Sequence, residues 1–310
     1  MLRQLFWPSL VLKNIGDGFL VLFGVIQSLA KLIFWRPNVV FTKGGYVCLP
    51  VGFAAHVLRI PLVIHDSDAH PGLTNRVLSR WASAIATGAP LKYYHYPPEI
   101  SNYVGIPISG SFHEFSRTER IKARKEWGID QHNPLIVVTG GGLGAKRIND
   151  ATVQVLPQLM ELGTVVLISG ALQYDELLPV TPHDDNRFQL HAFVSKGMAD
   201  LLGAADVVVT RAGATTILEL AALSKPTVLV PNGKLTGGHQ LKNAKVYKDA
   251  RAVKIVDEES MVVDPTLLTG AISDVLGHRE ASEAMAKRFA TFARPNAAKD
   301  MADMILHAVK

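Results

Sequence analysis

Val137-Val138-Thr139-Gly140-Gly141-Gly142-Leu143-Gly144-Ala145-Lys146-Arg147-Ile148-Asn149 reads as an apolar strand, a glycine-rich turn and the start of a helix. Glycines let backbone N–H groups approach phosphate oxygens, and a helix N-terminus favours negative charge. Lys146 and Arg147 add cations at that turn. Alone the pattern is a weak signal, because α/β turns are often glycine-rich for steric reasons. Two later segments repeat it. Asp206-Val207-Val208-Val209-Thr210-Arg211-Ala212-Gly213-Ala214-Thr215-Thr216 is again strand, small-residue turn and helix start, with Glu219 about one turn further on. Thr236-Gly237-Gly238-His239-Gln240-Leu241-Lys242-Asn243-Ala244 follows a strand ending at Pro231. Three strand ends aimed at one crevice point to a ligand site, since open parallel sheets bind at the carboxyl ends of their strands.

The same grammar runs through the rest of the chain. Strands are expected at Asn38–Thr42, Pro61–His65 and Ser83–Thr87 in the first half. In the second half they are expected at Leu135–Thr139, Thr164–Ser169, Arg187–His191, Asp206–Thr210, Thr227–Val230 and Ala252–Val256. Helical patterns separate them, including Pro50–Leu58 and Leu73–Trp81. Such alternation predicts an α/β fold of two Rossmann-like domains with parallel sheets. The first is expected over residues 1–115 and the second over 130–290, with the break in the polar, charged stretch Ser109–Asn133. The last two helices meet at Arg294-Pro295, and the segment 294–310 is expected to pack back on the first domain. That first domain offers three or four strands and opens on a helix. A doubly wound domain normally opens on a strand and a phosphate-binding turn, so this one is expected to begin part-way through.

The 310 residues include 48% hydrophobic and 19% charged side chains, enough apolar material for real cores and unlike a disordered chain. The net charge of +5 favours acidic partners such as nucleotide diphosphates or anionic lipid surfaces. The basic residues are scattered and no nucleic-acid module is recognisable, which argues against nucleic-acid binding. Cys48 is the single cysteine, so neither an internal disulfide nor a cysteine metal site can form, as suits a reducing cytosol. Near the N-terminus the longest uncharged run spans only Gly18 to Ala30. That is well short of the ~20 residues needed to cross a bilayer. Leu20, Phe23, Gly24, Gln27, Leu29 and Lys31 fit one long helix, flanked by Arg3, Lys13, Lys31 and Arg36. Its apolar face either lies on a membrane or packs in an α/β core.

Glu219 sits where a carboxylate can accept both hydroxyls of a ribose, as acidic residues do in dinucleotide sites; the plainer reading is a solvated helix face. Gln240 and Asn243 share a helix face, and amides both donate to and accept from sugar hydroxyls.

Taken in order, these motifs resemble the MurG family, the undecaprenyldiphospho-muramoylpentapeptide β-N-acetylglucosaminyltransferases. The resemblance also includes Phe41-Thr42-Lys43-Gly44-Gly45-Tyr46, His65-Asp66-Ser67-Asp68, Pro71-Gly72-Leu73-Thr74-Asn75-Arg76 and Val104-Gly105-Ile106-Pro107. It implies the two-domain GT-B fold with the active cleft between the domains. It further implies an inverting, metal-independent transfer of N-acetylglucosamine from UDP-GlcNAc to lipid I, giving lipid II for peptidoglycan. In this reading the backbone of Val194 meets the uracil and Glu219 holds the ribose. Gly141, Gly142, Arg211, Ala214, Thr215 and Thr216 surround the diphosphate, and His239, Gln240 and Asn243 bind the sugar. Gly44, Gly45 and Tyr46 form the acceptor-diphosphate loop. Asp68 orients or deprotonates the acceptor hydroxyl, a role that asks for partial desolvation. His65 reads as a packed strand-end residue. No cofactor and no metal are expected, although Asp66-Ser67-Asp68 has the form of a metal–diphosphate motif in another transferase class. The implied location is the cytoplasmic face of the cell membrane, as a peripheral protein bound to an anionic surface.

Several positions depart from the family pattern. Its Gly-Gly-Ser-Gln-Gly reads Gly140-Gly141-Gly142-Leu143-Gly144, its His-Glu-Gln-Asn reads His65-Asp66-Ser67-Asp68, and its Gly-Asn-Pro-x-Arg reads Gly105-Ile106-Pro107-Ile108-Ser109. The family's first glycine loop, with its His, is expected ahead of Met1, and nothing in these residues matches it. These departures keep two alternatives open: a UDP-sugar-binding protein without turnover, and a UDP-GlcNAc 2-epimerase on the same fold.

Overall fold

The computed structural model describes residues 8–142, 144–234 and 238–309, with the side chains of the first helix described from Phe19 onward. Of the sequence motifs, Arg3, Leu143, Thr236, Gly237 and the side chain of Lys13 lie outside the described residues. The chain forms two units, Met1–Gly105 with Asn296–Lys310, and Ile106–Pro295.

The first unit opens on helix α1 (Pro8–Trp35), followed by β1 (Val40–Thr42), α2 (Cys48–Val57), β2 (Leu62–Asp66), α3 (Leu73–Leu78), β3 (Ala84–Thr87) and β4 (Ser101–Tyr103). The strands form one parallel sheet in the order β1-β2-β3-β4. Every residue of β2 is buried, as expected of a parallel strand covered on both faces. β4 is short and polar, which is why the sequence marks it weakly. Leu32 of α1 joins Ala54 and Ala55 of α2, Ile64 of β2, Leu78 of α3 and Ile85 of β3 in the core. α1 approaches α2 closely at Gly24, where an added Cβ would lie 3.3 Å from Pro50 Cγ. Its other face leaves Phe19, Leu20, Leu22, Phe23 and Ile26 exposed. The core reading of this helix holds for the face that carries Leu32 and Gly24, and the other face is exposed and apolar.

The second unit begins with α4 (Arg117–Glu126), capped by Ser116 and Glu119 in a reciprocal capping box. Then come β5 (Leu135–Thr139), α5 (Lys146–Gln154), α6 (Leu156–Leu162), β6 (Thr164–Ile168), α7 (Ala171–Leu177), β7 (Phe188–His191) and α8 (Met198–Ala204). β8 (Val207–Thr210), α9 (Ala214–Ala222), β9 (Thr227–Leu229), α10 (His239–Asp249), β10 (Lys254–Ile255), α11 (Glu258–Val263), α12 (Thr266–Gly277) and α13 (Arg279–Ala290) complete it. α14 (Ala297–His307) returns to the first unit, where Ala297 and Met301 pack on Ala86 and Val104.

The stretch 109–133 falls in the second unit. Buried Arg124 of α4 reaches the carbonyls of Asp130 and Asn133 and pairs with Asp206, which also accepts from Arg120 and from the Leu135 amide. The polarity of that stretch marks a domain break in the sequence reading, and its arginines Arg120 and Arg124 join Asp206 in a partly buried ion cluster.

The second sheet is parallel in the order β10-β9-β8-β5-β6-β7. β5 comes first, the chain winds outward through β6 and β7, then crosses back to place β8 against the other edge of β5. The register pairs Ile136 with Val207 and Thr139 with Thr210. The winding direction therefore reverses between β5 and β8, and the loops after these two strands diverge to leave a crevice.

Candidate functional site

A cavity of about 520 Å³ lies at this reversal point. Its walls come from the glycine turn after β5, the β8–α9 turn with Thr210, Arg211, Gly213 and Thr216, the loop residues Asn232 and Lys234, Gln240 of α10 and Glu258 of α11.

Two glycines shape the first wall by necessity. A Cβ on Gly140 would meet the Ala145 amide at 2.3 Å. Gly144 adopts φ 74, and its Cβ would meet the Ser169 carbonyl at 2.4 Å. Gly141 and Gly142 differ, because added Cβ atoms there meet nothing within 4 Å. Their backbone borders open space, where a ligand can come close. The Gly141 amide donates to Thr139 Oγ1 at 3.2 Å, which braces the turn.

The helices α5, α9 and α10 start at this cavity, and none has a side-chain cap at its N-terminus. Uncapped first-turn N–H groups are donors without an intrahelical partner, and with the helix dipole they favour an anion. Arg211 is buried; its Nη1 donates to the Val230 carbonyl at 3.1 Å and its Nη2 pairs with Glu258 Oε1 at 2.5 Å. Arg147 also reaches Glu258, at 3.3 Å. Lys146 points to Glu176 and Asp150 on the surface.

The cavity wall gathers Gly141, Gly142, Arg211, Thr216 and Gln240 from the residues expected to bind a donor. Ala214 opens α9, Thr215 follows it exposed, and Glu219 lies one turn beyond Thr216 on the same face. Burial holds the Glu219 carboxyl above its ordinary value, and among the described residues it has no ion-pair or hydrogen-bond partner. Val194 is buried beside exposed Phe193, and His239 is the first residue of α10. The two amides carry a second duty. Gln240 Oε1 accepts from the Asn232 amide at 2.9 Å, and buried Asn243 donates through Nδ2 to the Ala212 carbonyl at 3.1 Å. Both therefore brace loops around the cavity. The sequence reading missed Asn232, Lys234 and Glu258; a signal was present in Glu258, an acid just past the end of a strand.

In the first unit, Gly44 and Gly45 after β1 both adopt left-handed φ (81 and 84), and Tyr46 is exposed. The following helix α2 also lacks a side-chain cap. His65 is buried at the end of β2. Its Nε2 donates to the Gly105 carbonyl at 2.8 Å, its Nδ1 accepts from Ser67 at 3.2 Å, and burial lowers its pKa. These contacts make it a packed strand-end residue. Asp68 is partly buried, and the Tyr94 hydroxyl donates to its main-chain oxygen at 2.7 Å. Asp66 is the buried carboxylate, accepting from the Tyr96 hydroxyl at 2.7 Å. Among the described residues no group of three or more His, Cys, Asp or Glu side chains is gathered as a metal site requires.

Burial raises Asp66 from 3.8 to about 6, and the hydrogen bonds of Tyr96 and Asn75 hold back part of that rise. The folded state thus favours the protonated acid. The stability this group contributes is fully present below the unfolded value near 3.8 and is lost as pH rises through about 6, an interval worth roughly 3 kcal/mol. Asp66→Asn mimics the protonated acid. It is expected to leave stability unchanged at pH 4 and to raise it by about 2–3 kcal/mol at pH 7.5, read by urea unfolding at the two pH values. Equal effects at both pH values would contradict this account.

Residues 135–301 match the glycosyltransferase family 28 C-terminal domain, and residues 6–87 match the N-terminal domain of that family. The chain belongs to glycosyltransferase family 28. Within family 28 it is of the MurG type. It is 35% identical over 262 residues to the UDP-N-acetylglucosamine–N-acetylmuramyl-(pentapeptide) pyrophosphoryl-undecaprenol N-acetylglucosamine transferase of Lachnospira eligens, covering 83% of this chain and 71% of that protein. The crystal structure of Acinetobacter baumannii MurG superposes with a TM-score of 0.75 at 27% identity, covering 94% of this chain and 79% of the other. A UDP-GlcNAc 2-epimerase from Neisseria meningitidis, bound to UDP-GlcNAc, gives a TM-score of 0.68 at 14% identity, covering 93% of this chain and 81% of the other. At that identity the likeness speaks for the fold alone. Family 28 membership thus makes the chain a glycosyltransferase with a GT-B fold.

Proposed function

We propose that this chain transfers N-acetylglucosamine from UDP-GlcNAc to an undecaprenyl-diphosphate-linked muramyl-pentapeptide, lipid I, to form lipid II for peptidoglycan. The observation that carries this reading is the crevice at the β5–β8 reversal, where three uncapped helix starts and Arg211 converge on one cavity. That arrangement suits a diphosphate. Glu219, without a protein partner, suits ribose hydroxyls, and the Val194 backbone suits the uracil edge. Ala214, Thr215 and Thr216 extend the diphosphate cradle, and His239, Gln240 and Asn243 meet the sugar.

In the reaction, the acceptor's sugar hydroxyl attacks the anomeric carbon while the bond from that carbon to the diphosphate oxygen breaks. The configuration inverts, UDP leaves, and the hydroxyl proton passes to Asp68. The helix starts and Arg211 stabilise the charge that gathers on the departing diphosphate, so this route asks nothing of a metal. On the acceptor side, Gly44, Gly45 and the uncapped start of α2 receive the lipid diphosphate, and Tyr46 lies beside them.

The test is transfer from radiolabelled UDP-GlcNAc to a lipid I analogue, with and without EDTA. Labelled lipid II in both arms is expected. UDP binding without transfer would leave a sugar-nucleotide-binding protein, and epimerised free donor would mark a 2-epimerase.

The exposed face of α1 is the membrane-contacting surface in this proposal, which places the protein peripherally on the cytoplasmic side. Phe19 and Leu20 are more than two-thirds exposed, and Leu22, Phe23 and Ile26 more than half. Burying one such side chain is worth ~1.5–3 kcal/mol. Among the described residues no helix is long and apolar enough to cross a membrane, so this face rests on the surface in our reading. The double variant Phe23→Asp with Ile26→Asp is expected to weaken co-sedimentation with phosphatidylglycerol vesicles about tenfold or more, with UDP affinity unchanged. Unchanged vesicle binding would remove α1 from the membrane contact.

A further inference from the structure

We propose that Glu258 is a positioning residue for the diphosphate, holding Arg211 and Arg147 in a fixed triad in the cavity wall. The inference rests on the donor-site reading above and adds a residue that reading does not use. Arg211 and Glu258 are both buried, at 8% and 3% exposed. Glu258 Oε1 lies 2.5 Å from Arg211 Nη2, off the line of a directed hydrogen bond, so the contact is ionic. Glu258 Oε2 accepts from Arg147 Nη1 at 3.3 Å. Arg211 is held from a second direction by the Val230 carbonyl, at 3.1 Å. The backbone that carries Glu258 is itself pinned, because Asp257 Oδ2 accepts from the Ser260 amide at 2.8 Å. One carboxylate thereby joins the start of α11, the first turn of α5 and the end of β8, and all three residues border the cavity.

Two features separate this triad from a structural ion pair. A buried ion pair contributes little net stability compared with apolar residues of the same size, so stability alone gives weak reason for one here. The triad also carries two cations and one anion, leaving one positive charge in excess at the wall. Transfer adds one negative charge to the diphosphate as the bond to the sugar breaks. An arginine already clamped from two sides meets that charge without reorganising, which is where fixed charges act best. Unclamped, the same side chain would have to be ordered on binding.

The experiment is a double-mutant cycle on UDP affinity by calorimetry in the full chain, with uridine as the phosphate-free control. Glu258→Gln keeps the shape and removes the charge. It is expected to weaken UDP about tenfold and to change uridine less than twofold. In an Arg211→Ala background the same substitution is expected to cost less than a further twofold, because the residue acts through that arginine. Glu258→Asp, which keeps the charge one methylene further back, is expected to recover part of the affinity.

Equal losses in both backgrounds overturn the proposal, as does an equal loss for uridine. Tighter UDP binding, the result if Glu258 acted by its charge alone, also overturns it. Should Glu258→Gln fail to fold, Glu258→Asp takes its place in the cycle, and the same outcomes support or overturn the proposal. If the parent chain binds no UDP, the donor-site reading fails first and this one with it; additive losses in a parent that binds UDP sink only the triad.

Discussion

Glu219→Ala is expected to weaken UDP and UDP-GlcNAc binding by about a hundredfold or more, and to abolish the rise in melting temperature that either ligand produces. Glu219 lies one turn beyond the cavity residue Thr216, and its carboxylate has no hydrogen-bond or ion-pair partner among the described residues. Burial of a carboxylate without a partner is unfavourable and pushes its pKa up. A ribose offers two hydroxyl donors at once. A hydrogen bond to a charged group contributes roughly 1.5–3 kcal/mol, so two together exceed a hundredfold in affinity. Glu219→Gln keeps the acceptor oxygen but loses the charge, and should fall between the two. Calorimetry reads all three proteins. A Glu219→Ala chain that binds UDP within threefold of the parent would return the residue to a solvated helix face.

Asp68→Asn is expected to lower kcat for transfer by about a hundredfold or more, with the KM for UDP-GlcNAc changed less than threefold. A positioned general base contributes roughly 10²–10⁴-fold, and the amide keeps the shape without accepting the proton. The backbone at Asp68 is well held: the Tyr94 hydroxyl donates to its carbonyl and accepts from the Ala89 amide at 3.1 Å. Asp66, two residues earlier, is the buried carboxylate tied to Tyr96. Measuring Asp66→Asn beside Asp68→Asn therefore locates the base. If the large loss follows Asp66 and not Asp68, the proton goes to the buried acid and the assignment moves there.

Local chemistry made much of this chain legible before any coordinates. The four inner strands of the second sheet, β9, β8, β5 and β6, show as apolar runs, because a parallel strand covered on both faces has no polar side to interrupt it. The glycine turn after β5 and the starts of α9 and α10 show because small residues at a strand-to-helix turn admit close approach. That local pattern is enough to expect an anion-binding crevice at these strand ends, with Gln240 and Asn243 on one face of a helix.

What the tertiary structure decided is where pairs form between distant segments. Glu258 stands 47 positions after Arg211 and 111 after Arg147, yet one carboxylate meets both, because β8 ends and α5 and α11 begin at the same edge of the sheet. No local pattern announces that pairing, since the three residues stand in separate strand-to-helix segments. The same holds for Arg124 and Asp206, which turn a charged stretch into a packed part of the second unit. It holds for Asp66 as well, whose carboxylate differs from that of Asp68 through burial beside Tyr96, 30 residues away. Periodicity and turn chemistry act over a few residues and are written in the sequence. Burial and ion pairing depend on which segments the winding of the sheets brings together, and they exist only once the chain has folded.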